Sequence, residues 1–233
     1  MIRIVDVENT RRIEAAADAS GISYATMMQR AGQAAAQRAL TIIAGLPEPK
    51  VTVLIGKGNN GGDGLVAGHY IAAHSQAQVR FYLTHARTDE DSNFQAVQEA
   101  GLWVAYAGDD RDQRVIRNLI SSADLVIDAL FGIGIRLPLR DEAASLMRTI
   151  RQSLQQQPEP SQLVSPTAPH HPHQRRRPYV LAIDCPSGLD CDSGATASNI
   201  IPADETVTFI AAKPGLLVFP GAGAVGQLHV APL

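Results

Sequence analysis

Two patterns of apolar residues alternate along the chain. Short runs rich in Val, Ile and Leu are typical of buried strands, whereas apolar residues repeated every three or four positions are typical of helices packed on one face. Strands are predicted at residues 51–55, 79–83, 102–106, 125–128, 179–183, 204–211 and 226–231. Helices are predicted at residues 10–19, 23–43, 92–100 and 110–121, and a further helix is predicted after Asp63.

This alternation predicts an α/β fold. Strands separated by helices pair in parallel through right-handed crossovers, which places helices on both faces of a mostly parallel sheet. We expect a single domain over residues 1–233, with residues 1–46 forming N-terminal helices that lie on the larger body. Residues 155–178 are rich in Pro, Gln and His and offer little to bury, so we expect a flexible linker or surface insertion there.

Composition narrows the class of protein. The chain has 233 residues, 45% of them apolar, which is enough for a substantial core, and its net charge of −3 argues against nucleic acid as the main partner. Neither an apolar run of membrane-spanning length nor a signal-peptide core is present, so we expect a soluble cytoplasmic protein without a membrane partner. Cys185 and Cys191 are expected to be reduced thiols.

A glycine-rich segment follows the first predicted strand. Residues 56–64 read GKGNNGGDG, and they predict a turn with positive backbone φ angles, capped by Asp63, that lets a ligand approach the backbone amides. The segment matches the spacing of a dinucleotide-binding fingerprint, but no acidic residue for the ribose follows the second strand before Asp89. Asn59 and Asn60 add side-chain oxygens that suit a sugar, an amide or a hard cation, although asparagines also occur in ordinary tight turns.

Two other predicted strands end in an aspartate. Asp128 and Asp184 each follow an apolar run and precede a turn rich in Gly and Pro. The carboxyl ends of parallel strands meet at one edge of a sheet, so these aspartates and the glycine-rich segment are expected to form one composite site. For Asp128, a helix cap is an equally good interpretation of its local sequence. Lys213 precedes another turn, and it either returns to this edge or is an ordinary surface charge.

These motifs resemble those of the NAD(P)HX epimerase family, a domain that in many bacteria is fused ahead of an NAD(P)HX dehydratase. The resemblance covers most of the chain and rests on MQRAG at 28–32, GNNGGDG at 58–64, DALFGIG at 128–134, DCPSG at 184–188 and AKPG at 212–215. It implies a Rossmann-like three-layer αβα sandwich. It also implies an isomerase that interconverts the R and S forms of hydrated NADH and NADPH (NADHX and NADPHX) at C6 of the nicotinamide-derived ring.

The resemblance also implies which residues form the site. A potassium ion would be held by Asn60, Asp128 and Ser187, either to orient the loops or to bind phosphate. The substrate would contact Asn59, Asn60, Gly61, Gly62, Asp63, Gly132, Ile133, Gly134, Ile135, Arg136, Leu137, Pro138 and Asp184.

The chemistry of the residues agrees with this assignment. Epimerising a carbon that bears a hydroxyl beside a ring nitrogen requires a proton to move while the C–O or C–N bond opens, and a carboxylate can accept and return that proton. Asp184 is our candidate for this catalytic role, and Lys213 is a candidate for balancing charge or donating a hydrogen bond. Amide, carboxylate and hydroxyl oxygens are also suitable ligands for a hard cation.

Two alternative functions and two possible binding partners also have to be considered. The fold also serves as an inactive nucleotide-binding or protein-interaction scaffold, and a nicotinamide oxidoreductase is disfavoured by the missing ribose acid. The chain ends at Leu233, where a fused dehydratase begins in bifunctional relatives, so it is expected to be a stand-alone epimerase or a fragment with a dehydratase as partner. Exposed N-terminal helices favour a homodimer.

Overall fold

A computed structural model describes residues 3–88, 90–155 and 177–233. Most of the predicted insertion, residues 155–178, lies outside the described residues. The strands are β1 (Lys50–Ile55), β2 (Gln78–Leu83), β3 (Trp103–Tyr106), β4 (Leu125–Ala129), β5 (Tyr179–Ile183), β6 (Glu205–Phe209) and β7 (Gln227–Ala231). The α-helices are α1 (Val7–Ala19), α2 (Tyr24–Ile42), α3 (Asn59–His74), α4 (Ser92–Glu99), α5 (Arg114–Ser121), α6 (Asp141–Gln155) and α7 (Ala222–Val225).

The seven strands form one sheet in the order β3-β2-β1-β4-β5-β6-β7. Every neighbouring pair in this sheet is parallel, so the predicted α/β class is confirmed. The first strand, β1, lies inside the sheet. The chain then runs outward through β2 to β3, returns to β4 on the other side of β1, and continues outward to β7. The strand order therefore reverses between β1 and β4, and open α/β sheets bind ligands beyond the carboxyl ends of strands at such a point.

Side chains alternate between two cores on the two faces of the sheet. Val53 of β1 packs with the apolar faces of α2, α3 and α4, whereas its neighbour Leu54 packs against α5 and α6. The same alternation holds in β4, where Ile127 belongs to the first core and Val126 to the second. Burial on both faces explains why these strands read as continuous apolar runs.

Two helix starts and one whole helix differ from the sequence-based prediction. Helix α1 begins at Val7 rather than residue 10, because the Asp6 side chain accepts a hydrogen bond from the Asn9 amide and caps the helix. Helix α5 begins at Arg114 rather than residue 110, because the Asp110 carboxylate instead accepts hydrogen bonds from the Val115 and Ile116 amides. Helix α6 was not predicted, although its buried face repeats at four-residue intervals.

Candidate active site

A cleft of about 920 Å³ opens at the carboxyl edge of the sheet. Its walls are the first turns of α3, the segment after β4, the ends of β5 and β6, and the N-terminal helices. Nine of the predicted site residues line it: Asn59, Asn60, Asp63, Gly132, Ile133, Gly134, Ile135, Asp184 and Lys213. Seven predicted residues are absent from this lining: Gly61, Gly62, Arg136, Leu137, Pro138, Asp128 and Ser187.

Asp184 and Lys213 form a buried ion pair in this cleft. The Lys213 ammonium lies 2.8 Å from Asp184 Oδ1, and the lysine side chain is only 1% exposed. It also donates to Thr208 Oγ1 at 2.8 Å and to the Phe209 carbonyl at 3.1 Å, so its three N–H groups all bond to protein. Lys213 is therefore a group that balances charge, since no proton of its ammonium is left to bond a ligand.

Asp184 is held by its backbone as well as by Lys213. It directly follows β5 and has a φ angle of +66°, which is uncommon for a residue other than glycine. Its amide donates to the Val207 carbonyl at 2.7 Å, and its second oxygen, Oδ2, accepts from the Ile133 amide at 3.2 Å. Thr208 donates to Oδ1 at 3.2 Å. The carboxylate is thus fixed at the base of the cleft as a hydrogen-bond acceptor.

Asp128 lies one strand away, and it does not cap a helix. It belongs to β4 and is fully buried, with Oδ1 accepting from the Ser187 hydroxyl at 2.6 Å and Oδ2 from the Ser187 amide at 2.8 Å. Burial raises the pKa of this carboxyl to about 6, although hydrogen bonds from Ser187 and Leu130 act in the opposite direction. Within the described ranges, no cationic side chain pairs with Asp128.

The Asn60 side chain differs from those of Asp128 and Asp184 in its hydrogen bonding. Both polar atoms of its side chain are buried, and neither has a hydrogen-bond partner among the described residues. Gly132 lies against it, since a Cβ atom at Gly132 would be 3.2 Å from Asn60 Cβ and 3.0 Å from Asp184 Oδ2. A buried amide without partners is costly, and such a group in a folded protein points to an interaction with something other than the protein itself.

The glycine-rich segment is not the turn that its sequence predicted. Helix α3 begins at Asn59 with Gly58 at the cap, so Asp63 lies inside the helix and does not cap it. None of the segment's glycines has a positive φ angle. Except at Gly58, they are required instead for close packing: a Cβ at Gly56 would lie 1.8 Å from the Leu130 carbonyl oxygen, and one at Gly61 would lie 2.1 Å from the Gly56 oxygen.

Helix α1 contributes two charged cleft residues that the sequence analysis did not identify. Arg11 and Glu14 line the cleft because the N-terminal segment is anchored beside β6 through a parallel bridge between Ile4 and Ala212. Burial, and next the charge of Asp184, raise the pKa of Glu14. The same two causes, in the same order, raise the pKa of Asp63 well above its usual value. No local pattern marks these helix positions as functional, because their role depends on docking across the chain.

The end of β2 differs from that of a nicotinamide dehydrogenase. The ribose-binding acid is replaced in this region by Arg87, which donates to the Gly56 carbonyl at 2.6 Å and pairs with Asp91 at 3.1 Å. The guanidinium therefore anchors the glycine-rich segment.

Several further sequence-based expectations concern metals, cysteines and membranes. Cys185 and Cys191 are free and buried, as expected, and contact with the Cys191 thiol together with burial raises the pKa of Cys185. Across the described ranges, no three His, Cys, Asp or Glu side chains cluster as a metal site. Of the helices described, none has the length and apolar character needed to cross a membrane. The histidines of the Pro-, Gln- and His-rich stretch at 155–178, at positions 170, 171 and 173, lie outside the described residues, so the absence of a metal cluster does not extend to them.

The parallel sheet and the cleft at its carboxyl edge define a Rossmann-like α/β protein with a site large enough for a nucleotide. The chain belongs to the family described as YjeF-related protein N-terminus, which matches residues 24–215. Over 99% of this chain and 88% of the other, the fold is similar to the crystal structure of yeast ynu0, YNL200c, with a TM-score of 0.75 and 16% identity.

Two proteins of similar sequence have names that state an activity. A NAD(P)H-hydrate epimerase from Clavibacter michiganensis subsp. michiganensis is 33% identical over 92% of this chain and 85% of its own length. A bifunctional NAD(P)H-hydrate repair enzyme Nnr from Thermofilum pendens is 32% identical over 92% of this chain. That match covers only 37% of the Thermofilum protein, so the chain spans about a third of such bifunctional relatives.

Proposed function

We propose that this protein epimerises hydrated NADH and NADPH at C6 of the nicotinamide-derived ring. The buried Asp184–Lys213 pair inside a nucleotide-sized cleft is the observation that carries the proposal. The family and the similar epimerase from Clavibacter support the same reaction. An inactive scaffold would not need a carboxylate fixed at the base of its cleft by a buried ammonium, so the enzyme is favoured over the scaffold.

The residues of the cleft have distinct tasks in this reaction. The N-terminus of α3 has no side-chain cap and borders the cleft at Gly58, Asn59 and Asn60, and such a helix N-terminus suits the anionic part of a dinucleotide. Residues 132–135 form another wall, and the Ile133 amide fixes Asp184 through Oδ2. Asp184 accepts a proton while the bond at C6 opens or recloses, and Lys213 stabilises the carboxylate without contacting the substrate.

We propose that potassium binds to Asn60, Asp128 and Ser187. Three observations support the fit: among the residues that the structure describes, the buried side-chain oxygen of Asn60 has no donor and the fully buried Asp128 has no cationic partner, and all ligands offered are hard oxygen atoms. A bound cation supplies positive charge that stabilises the ionised form of Asp128. The neighbouring segment, residues 130–132, would thereby be held in the position that shapes the cleft.

The reaction is tested by chiral chromatography of purified NADHX epimers. The unsubstituted protein is expected to bring a single epimer to the equilibrium mixture, and Asp184→Ala is expected to abolish the rate above that without protein. Asp109→Ala removes an exposed carboxylate outside the cleft and serves as the control. If Asp184→Ala, shown to be folded by circular dichroism, epimerises at the unsubstituted rate, Asp184 has no part in the mechanism.

Several broader expectations accompany this proposal. An NAD(P)HX dehydratase, fused or separate, is the proposed partner, because it would consume one epimer of the product. The preference between NADHX and NADPHX is tested by comparing kcat/KM for the two substrates. A cytoplasmic location and a homodimer stay predictions from the sequence.

A further inference from the structure

The Asp184–Lys213 pair lacks a proton donor for the reaction. All three N–H groups of Lys213 bond to protein atoms, and Asp184 accepts from Lys213, Thr208 and Ile133. The pair is thus equipped to accept a proton. Loss of a hydroxyl from C6 also requires an acid, because hydroxide is a poor leaving group and water is a good one.

Glu14 is a carboxyl group positioned to be that acid. It lines the same cleft from helix α1, it is partly exposed, and among the described residues it has no hydrogen bond or ion pair. Its charged neighbours are Arg11 on its own helix, Asp63 on α3, Asp184 after β5 and Lys213 after β6. Burial and the nearby Asp184 charge favour its protonated form, and they exceed the opposite effects of Lys213 and Arg11.

We propose that Glu14 is a second catalytic residue, which donates a proton to the C6 hydroxyl of the substrate. The inference rests on the proposed epimerisation. It assigns opposite tasks to two carboxyl groups in one cleft: Asp184, held by the Lys213 ammonium and the Ile133 amide, accepts a proton, and Glu14, on the wall formed by helix α1, donates one.

Protonated Glu14 gives its proton to the hydroxyl, the C6–O bond breaks with its electron pair leaving on oxygen as water, and the N1 lone pair forms a C=N bond to C6. Water then adds to the other face of C6, N1 regains its electron pair, and the added oxygen loses a proton to the Asp184 carboxylate. Transfer of that proton from Asp184 through solvent to Glu14 restores the starting state, with no oxidant or reductant consumed.

The test compares Glu14→Gln with Glu14→Asp in the chiral chromatography assay, at several substrate concentrations and over a range of pH. Glu14→Gln is expected to lower kcat by about 100-fold or more with KM unchanged, the usual range for loss of a general acid. Glu14→Asp is expected to recover part of that rate. The unsubstituted kcat should fall as pH rises through the pKa of Glu14, and this limb should be absent in Glu14→Gln.

Glu8→Gln is the matched control, because Glu8 lies on the same helix, is exposed and, within the described ranges, pairs only with the exposed Arg12. It is expected to leave kcat, KM and the pH profile unchanged. Three outcomes would overturn the inference while leaving epimerisation intact. Glu14→Gln could keep the kcat of the unsubstituted protein, or it could change KM alone. The third outcome is that the high-pH limb is lost in Asp63→Asn but kept in Glu14→Gln. Absence of epimerisation by the unsubstituted protein would instead overturn the proposed function, and this inference with it.

Discussion

The two halves of the cleft are built in different ways. At the ends of β5 and β6, polar groups satisfy one another: Asp184, Lys213 and Thr208 form a closed set of hydrogen bonds. At the ends of β1 and β4, glycines bring the backbone close together, and over the described part of the chain Asn60 has no hydrogen-bond partner and Asp128, which does not itself line the cleft, has no cationic partner. The first half is complete as protein, whereas the second has polar groups suited to an external ligand.

Removing the buried ion pair at the ends of β5 and β6 should have the largest effect on stability. Lys213→Met removes a buried ammonium and leaves the Asp184 charge without its partner, so we expect the free energy of unfolding to fall by about 3–5 kcal/mol. Urea denaturation measures this change. The double variant Asp184→Leu with Lys213→Met should recover part of the loss, because it leaves no buried charge unpaired.

The exposed Arg12–Glu8 pair provides the control for that experiment. Both side chains are at least 70% exposed, so Glu8→Gln should change the free energy of unfolding by no more than about 0.5 kcal/mol. If Lys213→Met costs no more than Glu8→Gln, the buried pair does not hold this half of the cleft together.

Substituting a glycine should damage the other half by crowding it. Gly56→Ala places a Cβ 1.8 Å from the Leu130 carbonyl oxygen, which forces β1 and the segment after β4 apart. We expect it to lower the free energy of unfolding by about 1–3 kcal/mol in urea denaturation and to weaken nucleotide binding. Gly58→Ala meets nothing within 4 Å and should change stability by less than about 1 kcal/mol. Equal effects of the two substitutions would contradict a packing role for Gly56.

Potassium should have the smallest of these effects on stability, and its effect should depend on pH. The pKa of Asp128 is raised to about 6 in the folded protein, so without a cation its contribution to stability is present below about pH 4 and is lost as pH rises through 6. A cation that binds the ionised form reverses this loss above pH 6. At ten times the dissociation constant, the gain would be about 1.4 kcal/mol.

Thermal unfolding in potassium chloride and in choline chloride of equal ionic strength measures this difference. The potassium-dependent rise in Tm should be larger at pH 7.5 than at pH 5, and Asp128→Asn should reduce it. An equal Tm in both salts at pH 7.5 would show that the unpartnered Asn60 amide and the buried Asp128 carboxylate do not form a potassium site.

Much of this architecture could be predicted from apolar patterns. The runs in β1, β4 and β5 identified buried parallel strands, and the edge they share followed from the rule that parallel strands end together. The glycine-rich segment was the weakest local prediction. Glycine indicates either positive φ or a close approach, and only the position of Leu130 against Gly56 distinguishes the two.

The sequence alone determined the α/β class, the strand ends that meet at the cleft and the aspartates that those ends carry, because periodicity and strand direction are local properties of the chain. Only the tertiary structure decided that Lys213 is buried against Asp184, that Asn60 has no hydrogen-bond partner among the described residues and that Glu14 lines the cleft. Each of these depends on contacts between residues far apart in the chain. Burial, hydrogen-bond satisfaction and the protonation of neighbouring carboxyl groups are set by such contacts.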